Sequence, residues 1–257
     1  MSSALLPIIE SNAAFELDNA LRNLAKKNMD YKFMYVVWSA YRNRGVCALL
    51  LGCDAKSLYT DLCKSACSYL YFLKKMVPKA ERITSNSSPF FDAIACGDLP
   101  IAKEIAVASR SSHNPGEEYI DDFLYVYFLM KMFFLKGKHG ELVNLLDQFE
   151  AVAADDTASR YELCKSFLEK DQQAFDDAFD SIIELYIESL NTKMEKGLIS
   201  DEDWAVSAPL FIEGLALLRL AEKLGLRTQK DYTSIPEIAR LTELPDYQSV
   251  DWLTPYS

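Results

Sequence analysis

Apolar residues recur along most of the 257-residue chain at intervals of three and four, the spacing that places side chains on one face of an α-helix. Nine glycines and nine prolines are few for this length, which favours long helices with short connections. The pattern therefore predicts an all-α protein. The predicted helices span residues 11–28, 30–51, 54–77, 88–97, 99–110, 118–136, 139–153, 157–169, 172–196 and 204–224.

A short polar break followed by apolar residues at matching offsets occurs three times. The breaks are Gly97–Asp98, Gly137–Lys138 and Lys170–Asp171, which start 40 and 33 residues apart. This interval is close to the period of helical-hairpin repeats, but the tetratricopeptide consensus is missing. We therefore predict a single domain of irregular, α-solenoid-like stacked hairpins, a shape suited to binding another protein. Its parts would be N-terminal helices (1–87), hairpins (88–239) and a C-terminal tail (240–257).

Thirty-eight acidic and twenty-seven basic residues leave a net charge of −11. This balance argues against nucleic acid or an anionic membrane surface as the main partner and favours a basic protein, although acidity also serves solubility. The opening residues carry no basic flank before their short apolar run, so we expect no secretion signal and a cytoplasmic protein. The most apolar run, 123–135, is shorter than the roughly 20 residues of a membrane span and predicts a buried central helix.

The six cysteines include no CxxC pair, and the chain has only two histidines. Zinc sites and disulfide frameworks need more regular spacings, so we predict reduced core thiols, no structural metal and no cofactor.

Asp176, Asp177 and Asp180 spell DDxxD, a pattern that holds magnesium diphosphate in helical prenyl-transferring enzymes. Such enzymes need a second acidic motif that follows the first, whereas "DDTASRYE" here precedes it and is out of register. Phosphate loops, HExxH and nucleophile elbows are also missing from the sequence. We therefore predict no catalytic residue and a non-enzyme, and keep a magnesium-dependent prenyl transferase as an alternative.

Two groups of acidic residues are candidate partner contacts. The acidic row follows the shoulder of the helix predicted at 172–196 and consists of Asp176, Asp180, Glu184 and Glu188. The acidic cluster stands at the start of the helix predicted at 118–136 and consists of Glu117, Glu118, Asp121 and Asp122. The helix dipole is a sufficient reason for acids in a first turn. The row has no such benefit, because like charges at i,i+4 destabilise an isolated helix.

Four stretches carry a resemblance to a known family: "FFDAIACGDLPIAKEIA", "GEEYIDDFLYVYFLMKMFFLKGK", "FLEKDQQAFDDAFDSIIELY" and "SAPLFIEGLALLRLAEKLGLRTQKDYTSIPEI". Between residues 88 and 239 their order resembles the helical immunity protein 49 family of bacterial polymorphic-toxin systems. In that family an apolar helix rich in Ala and Leu is followed by a turn containing glycine and then by an extended segment with a Tyr and a Pro. In the last stretch, Gly225, Tyr232 and Pro236 match this pattern. These motifs belong to the fold, so no functional residue is carried over.

The resemblance implies a non-catalytic protein that binds its cognate toxin and blocks it. Because the protein is acidic, we expect a toxin with a basic cleft. Because no secretion signal is expected, we expect the toxin to be neutralised in the cytoplasm. A monomer or weak homodimer is expected. A helical-repeat adaptor for another partner remains an alternative function.

Overall fold

The computed structural model describes residues 4–24, 31–240, 244–247 and 251–254, and within them the fold is all-α, as predicted. The only β-type pairing in this part of the chain is a single bridge between Tyr232 and Ile235. The helices are α1 Leu6–Asn23, α2 Tyr31–Gly52, α3 Ala55–Lys75, α4 Ser88–Ala95, α5 Leu99–Ala108, α6 Ile120–Phe133, α7 His139–Glu150, α8 Ala158–Glu169, α9 Gln172–Glu195, α10 Asp201–Ser207 and α11 Ile212–Leu224, with 3₁₀ turns at Lys79–Glu81 and Glu237–Ala239.

The prediction of one helix over 204–224 was wrong. Ser200 caps α10 by accepting a hydrogen bond from the Asp203 backbone N–H, so this helix begins earlier, at Asp201. It ends at Ser207 because Pro209 has no N–H to donate and disfavours helical geometry in the residue before it. The first helix also begins earlier than predicted, at Leu6, and residues 25–28 of that prediction lie outside the described chain.

Side-chain caps and left-handed residues mark the predicted breaks between helices. Asp54, Asp98 and Asp171 each accept a backbone N–H bond from the residue three positions on, which begins α3, α5 and α9. Gly97 adopts a positive φ of 83°. The break at Gly137–Lys138 differs, because the left-handed residue there is Lys136.

The helices stack as hairpins around one continuous hydrophobic core, as predicted. α1 packs on α2, α2 on α3, and α3 on both helices of the α4–α5 hairpin. The α6–α7 and α8–α9 hairpins follow, and α11 returns to pack against α4. Buried residues of the core run from Leu6 to Ala239, so the stack forms a single domain. The predicted division at residues 87 and 239 stays a prediction.

The described parts of the C-terminal tail lie across the first helices. Tyr247 donates a hydrogen bond of 2.6 Å to the carbonyl of Cys96, and the Lys64 ammonium donates one of 2.9 Å to the carbonyl of Thr254. Tyr59 likewise donates to the carbonyl of Ala239. These bonds connect the C-terminal end of the chain to α3 and to the end of α4.

The apolar run predicted as a buried central helix is α6, whose residues Phe123 to Met130 are buried except Tyr127. By length and composition alone, the stretch Asp201–Leu224 is apolar enough to cross a membrane, but 67% of its apolar 18-residue window is buried inside the protein. Burial of this extent is what a core helix shows, and the break at Pro209 divides the stretch.

The six cysteines are all free thiols, but they are not all core residues. Cys47, Cys63, Cys96 and Cys164 are buried, and Cys67 is half-buried. Cys53 is exposed, which corrects the prediction, because it lies past the end of α2 in the turn to α3 with a positive φ of 53°.

Candidate partner-binding site

The acidic row lies on α9, with Asp176 half-buried and Asp180, Glu184 and Glu188 exposed. Residues four apart on a helix are offset by about 40°, so three such steps turn the row by about 120° around the axis. Its two ends therefore face different surroundings. Asp176 accepts a hydrogen bond of 2.9 Å from Gln172, which also bonds the backbone of Arg227, whereas Glu188 lines a groove on another side of the helix.

Repulsion within the row is visible at Asp180. Partial burial raises the pKa of its carboxyl, and the neighbouring Asp176, Glu184 and Asp177 raise it further. The row is thus an electrostatic cost to the isolated helix, as the sequence predicted.

The acidic cluster divides at the start of α6. Asp121 and Asp122 lie in the first turn, but Glu117 and Glu118 precede the helix, whose N-cap is Tyr119. Helix-dipole stabilisation therefore does not explain Glu117 and Glu118, which corrects the predicted helix start. The Glu118 carboxylate instead accepts hydrogen bonds from the backbone N–H groups of Ser85 and Asn114, and so holds two loops together.

One groove brings together parts of both predicted groups. It encloses about 980 Å³ and is lined by Asp121 and Asp122 from the cluster and by Glu188 from the row. Its walls are the N-terminal ends of α6 and α8, the C-terminal half of α9 and the link from α10 to α11. Glu117 and Glu118 do not line it. The other three members of the row do not line it either.

The floor of the groove holds a charged network around Arg160. This guanidinium lies 2.9 Å from Asp122, 3.9 Å from Glu213 and 4.9 Å from the centre of the Tyr125 ring. Tyr125 donates a hydrogen bond of 2.8 Å to Glu213. Burial raises the pKa of Asp122, and its pairing with Arg160 opposes that effect. The network therefore occupies Asp122 and Glu213 within the protein.

Other carboxylates of the groove have no such partner. Asp121, Asp156 and Glu188 line it, yet none makes an ion pair or a side-chain hydrogen bond to the rest of the described chain. Asp156 belongs to the "DDTASRYE" motif noted in the sequence, but nothing in that motif indicated that it would lie opposite Glu188.

Apolar side chains stand at the groove beside these acids. Tyr119 is 79% exposed and Leu198 is 70% exposed, and both line the groove. The C-terminal half of α9 is less buried than its first half, because the last fully buried residue of the helix is Ile183. Tyr186 is half-buried and also lines the groove. Sequence reasoning identified neither Tyr119 nor Leu198.

The geometry gives no support to a magnesium site at DDxxD. Asp176 and Asp177 accept hydrogen bonds from the side-chain amides of Gln172 and Gln173. In residues 4–24, 31–240, 244–247 and 251–254, no group of three or more His, Cys, Asp or Glu is placed to hold a metal ion.

A comparison with protein families matches residues 19–238 to the family described as immunity protein 49. The chain belongs to the immunity protein 49 family. The match begins well before the stretch 88–239 on which the sequence resemblance rested, so it also includes the C-terminal end of α1 and all of α2 and α3. Searches of curated proteins and of solved structures found no significant match.

Membership in this family supports an immunity role for the protein. Every residue of the acidic row and the acidic cluster falls inside the matched region, as does the groove that joins them.

Proposed function

We propose that this protein is a cytoplasmic immunity protein that binds one cognate toxin and neutralises it by covering its active site or substrate cleft. The observation that carries the proposal is the family match over residues 19–238. The net charge of −11 supports a toxin with a basic cleft, where carboxylates take the place of substrate phosphates and speed association by electrostatic steering.

Neutralisation by binding predicts a fixed stoichiometry. We expect a neighbouring gene to encode the cognate toxin domain; this domain is mixed with increasing amounts of the purified protein, and the remaining toxin activity is measured. Inhibition should rise linearly and reach completion at a fixed molar ratio, because each complex removes one toxin molecule. Complete inhibition by an amount of this protein far smaller than the amount of toxin would show turnover and thus an enzyme, contrary to the proposal.

Protection in living cells separates an immunity protein from an adaptor. Cells that produce the toxin domain in the cytoplasm should survive when they also produce this protein. A helical-repeat adaptor for another partner would leave the toxin active and the cells dead.

A further inference from the structure

We propose that the groove between α6, α8 and α9 is the toxin-binding surface and receives a lysine- or arginine-bearing segment of the toxin. This inference rests on the proposed function and names the part of the protein that would perform it. It assigns different roles to the residues predicted from sequence, since only Asp121, Asp122 and Glu188 among them line the groove.

The charge available in the groove selects a basic occupant. Asp121 and Asp156 stand at the start of α6 and α8, and Glu188 stands on α9. None of the three is neutralised within the described chain, whereas Asp122 and Glu213 are already paired with Arg160. A cationic side chain entering here would gain up to three carboxylate partners.

An anionic ligand is disfavoured at the same place. The N-terminal ends of α6 and α8 would by themselves attract an anion through their dipoles. Asp121, Asp122 and Asp156 already occupy that field, so a phosphate would meet carboxylates first. A basic protein segment therefore fits better than nucleic acid or a phosphorylated metabolite.

Ser159 has an unsatisfied polar atom in the wall of the groove. Its hydroxyl Oγ is buried and has no hydrogen-bond partner within the described residues, and the residue lines the groove. An unpaired buried hydroxyl is unfavourable, and because this atom is itself covered, a partner would reach it only by shifting the side chains around it.

Two further features define the expected segment. Tyr119 and Leu198 expose most of their surface at the groove, and a toxin side chain that packs on them would bury apolar area next to the charges. Lys193 and Lys196 also line the groove and lie about 7 Å and 12 Å beyond Glu188 along α9. The segment should therefore carry its basic residues opposite Glu188 and an acidic or polar residue further on.

The test compares two triple variants with the same change of charge. The groove variant is Asp121→Lys, Asp156→Lys and Glu188→Lys, and the control variant is Asp177→Lys, Asp180→Lys and Glu184→Lys, whose residues are also on the surface but not in the groove. The probe is the toxin domain encoded beside this gene, inactivated by a substitution in its own active site. Association rates are measured at low and at physiological salt.

The groove variant should associate at least about tenfold more slowly at low salt and show a flatter salt dependence, because steering charges act mainly on the on-rate. The control variant should stay within about threefold of wild type, since only its long-range charge differs. Equal slowing of both variants, or greater slowing of the control, would overturn the groove as the binding surface.

Two further measurements make the result decisive. A neutral version, Asp121→Asn, Asp156→Asn and Glu188→Gln, avoids any strain from lysine and should fall between wild type and the groove variant in association rate. Tyr119→Ala with Leu198→Ala should raise the dissociation rate by about tenfold or more, as for exposed interface anchors; an unchanged rate would contradict the proposed apolar contact. A wild-type protein that neither binds nor inhibits the toxin would overturn the proposed function itself.

Discussion

Charged residues serve opposite purposes in two regions of this molecule. In the paired-charge layer, formed by α2, α3 and α4, Asp92 is 1% exposed and accepts hydrogen bonds of 2.6 Å from both Arg42 and Ser65. Asp61 is also buried and pairs with Arg44. In the groove, by contrast, Asp121, Asp156 and Glu188 have no partner within the described chain.

The difference follows from the cost of removing a charge from water. A buried carboxylate needs a cation and hydrogen bonds, because an unpaired one would be strongly destabilising. An exposed carboxylate stays hydrated and can remain unpaired at little cost to the fold. The charges of the layer are therefore used by the fold, and those of the groove are available to a partner.

The largest expected effect is the loss of stability on replacing Asp92. Asp92→Ala leaves Arg42 and the buried Ser65 hydroxyl without their acceptor, so the free energy of unfolding should fall by about 3 kcal/mol. Urea unfolding measures the change. Asp177→Ala, an exposed position on α9, is the matched control and should stay within about 0.5 kcal/mol of wild type. Similar losses for both variants would contradict the comparison.

The cysteines differ in how far the fold protects their thiols from reagents in solution. Burial, together with a smaller contribution from the nearby Glu10, raises the pKa of Cys47 to about 12, so this thiol stays protonated at neutral pH. Cys53 is exposed in the turn between α2 and α3. We expect a maleimide to label Cys53 at least about a hundredfold faster than Cys47, because labelling of Cys47 requires local opening.

A matched variant identifies the fast site. Cys53→Ser should remove the rapid phase and leave the slow phases unchanged, as read by mass spectrometry of labelled peptides. Rapid labelling of Cys47 in the native protein would show that α2 is less protected than its burial indicates.

A smaller loss of stability is expected on removing the hydroxyl of Tyr59, which connects two distant parts of the chain. Tyr59 is buried, accepts a hydrogen bond of 2.6 Å from Arg219 and donates one of 2.9 Å to the carbonyl of Ala239. Tyr59→Phe should lower the free energy of unfolding by about 1–2 kcal/mol, because both partners lose this bond. Tyr35→Phe, at an exposed ring of α2, should be nearly neutral in the same urea titration. An equal effect of the two changes would argue against the structural role of Tyr59.

The smallest effect concerns the pH dependence of stability at the acidic row. The folded-state pKa of Asp180 is raised by burial and by its acidic neighbours, so the folded protein binds this proton more tightly than the unfolded chain. The melting temperature of the wild type, relative to that of Asp180→Asn, should therefore rise as the pH falls from 7 toward the usual aspartate pKa of about 4.

Asp54 supplies a control of opposite sign. Hydrogen bonds from Ser57 lower the pKa of Asp54, so its stabilisation is lost as the pH falls through the folded pKa. Wild type should lose melting temperature relative to Asp54→Asn over the same acid range. If both differences in melting temperature changed in the same direction as the pH falls, the local environments of these carboxyls would not be as described.

Periodicity predicted the helices well because most of them have one strongly apolar face and a local start signal. Asp98 and Asp171 begin α5 and α9 as side-chain caps, and both stand at breaks that the sequence predicted. The break between α10 and α11 was missed although Pro209 marks it, since the apolar spacing continues across the proline. Here local backbone chemistry outweighed the apolar pattern.

The candidate site was predictable only in part. Spacing along α9 identified the row, but the same spacing rotates it about the axis, so only Glu188 reaches the groove. Opposing walls from α6, α8 and α9 depend on how distant helices pack, which no local pattern encodes. Tyr119 and Leu198 therefore gave no signal in the sequence, where exposed and buried apolar residues look alike.

The most direct test of the central claim is hydrogen exchange of this protein alone and bound to the inactivated toxin domain. The account predicts slower exchange in the complex at the α6 start, at residues 154–161 and in the C-terminal half of α9, the segments that line the groove. Amides of α2 and α3 should exchange at the same rate in both states, because their charges are already paired within the fold. Protection confined to α2 and α3, with none around the groove, would contradict the account.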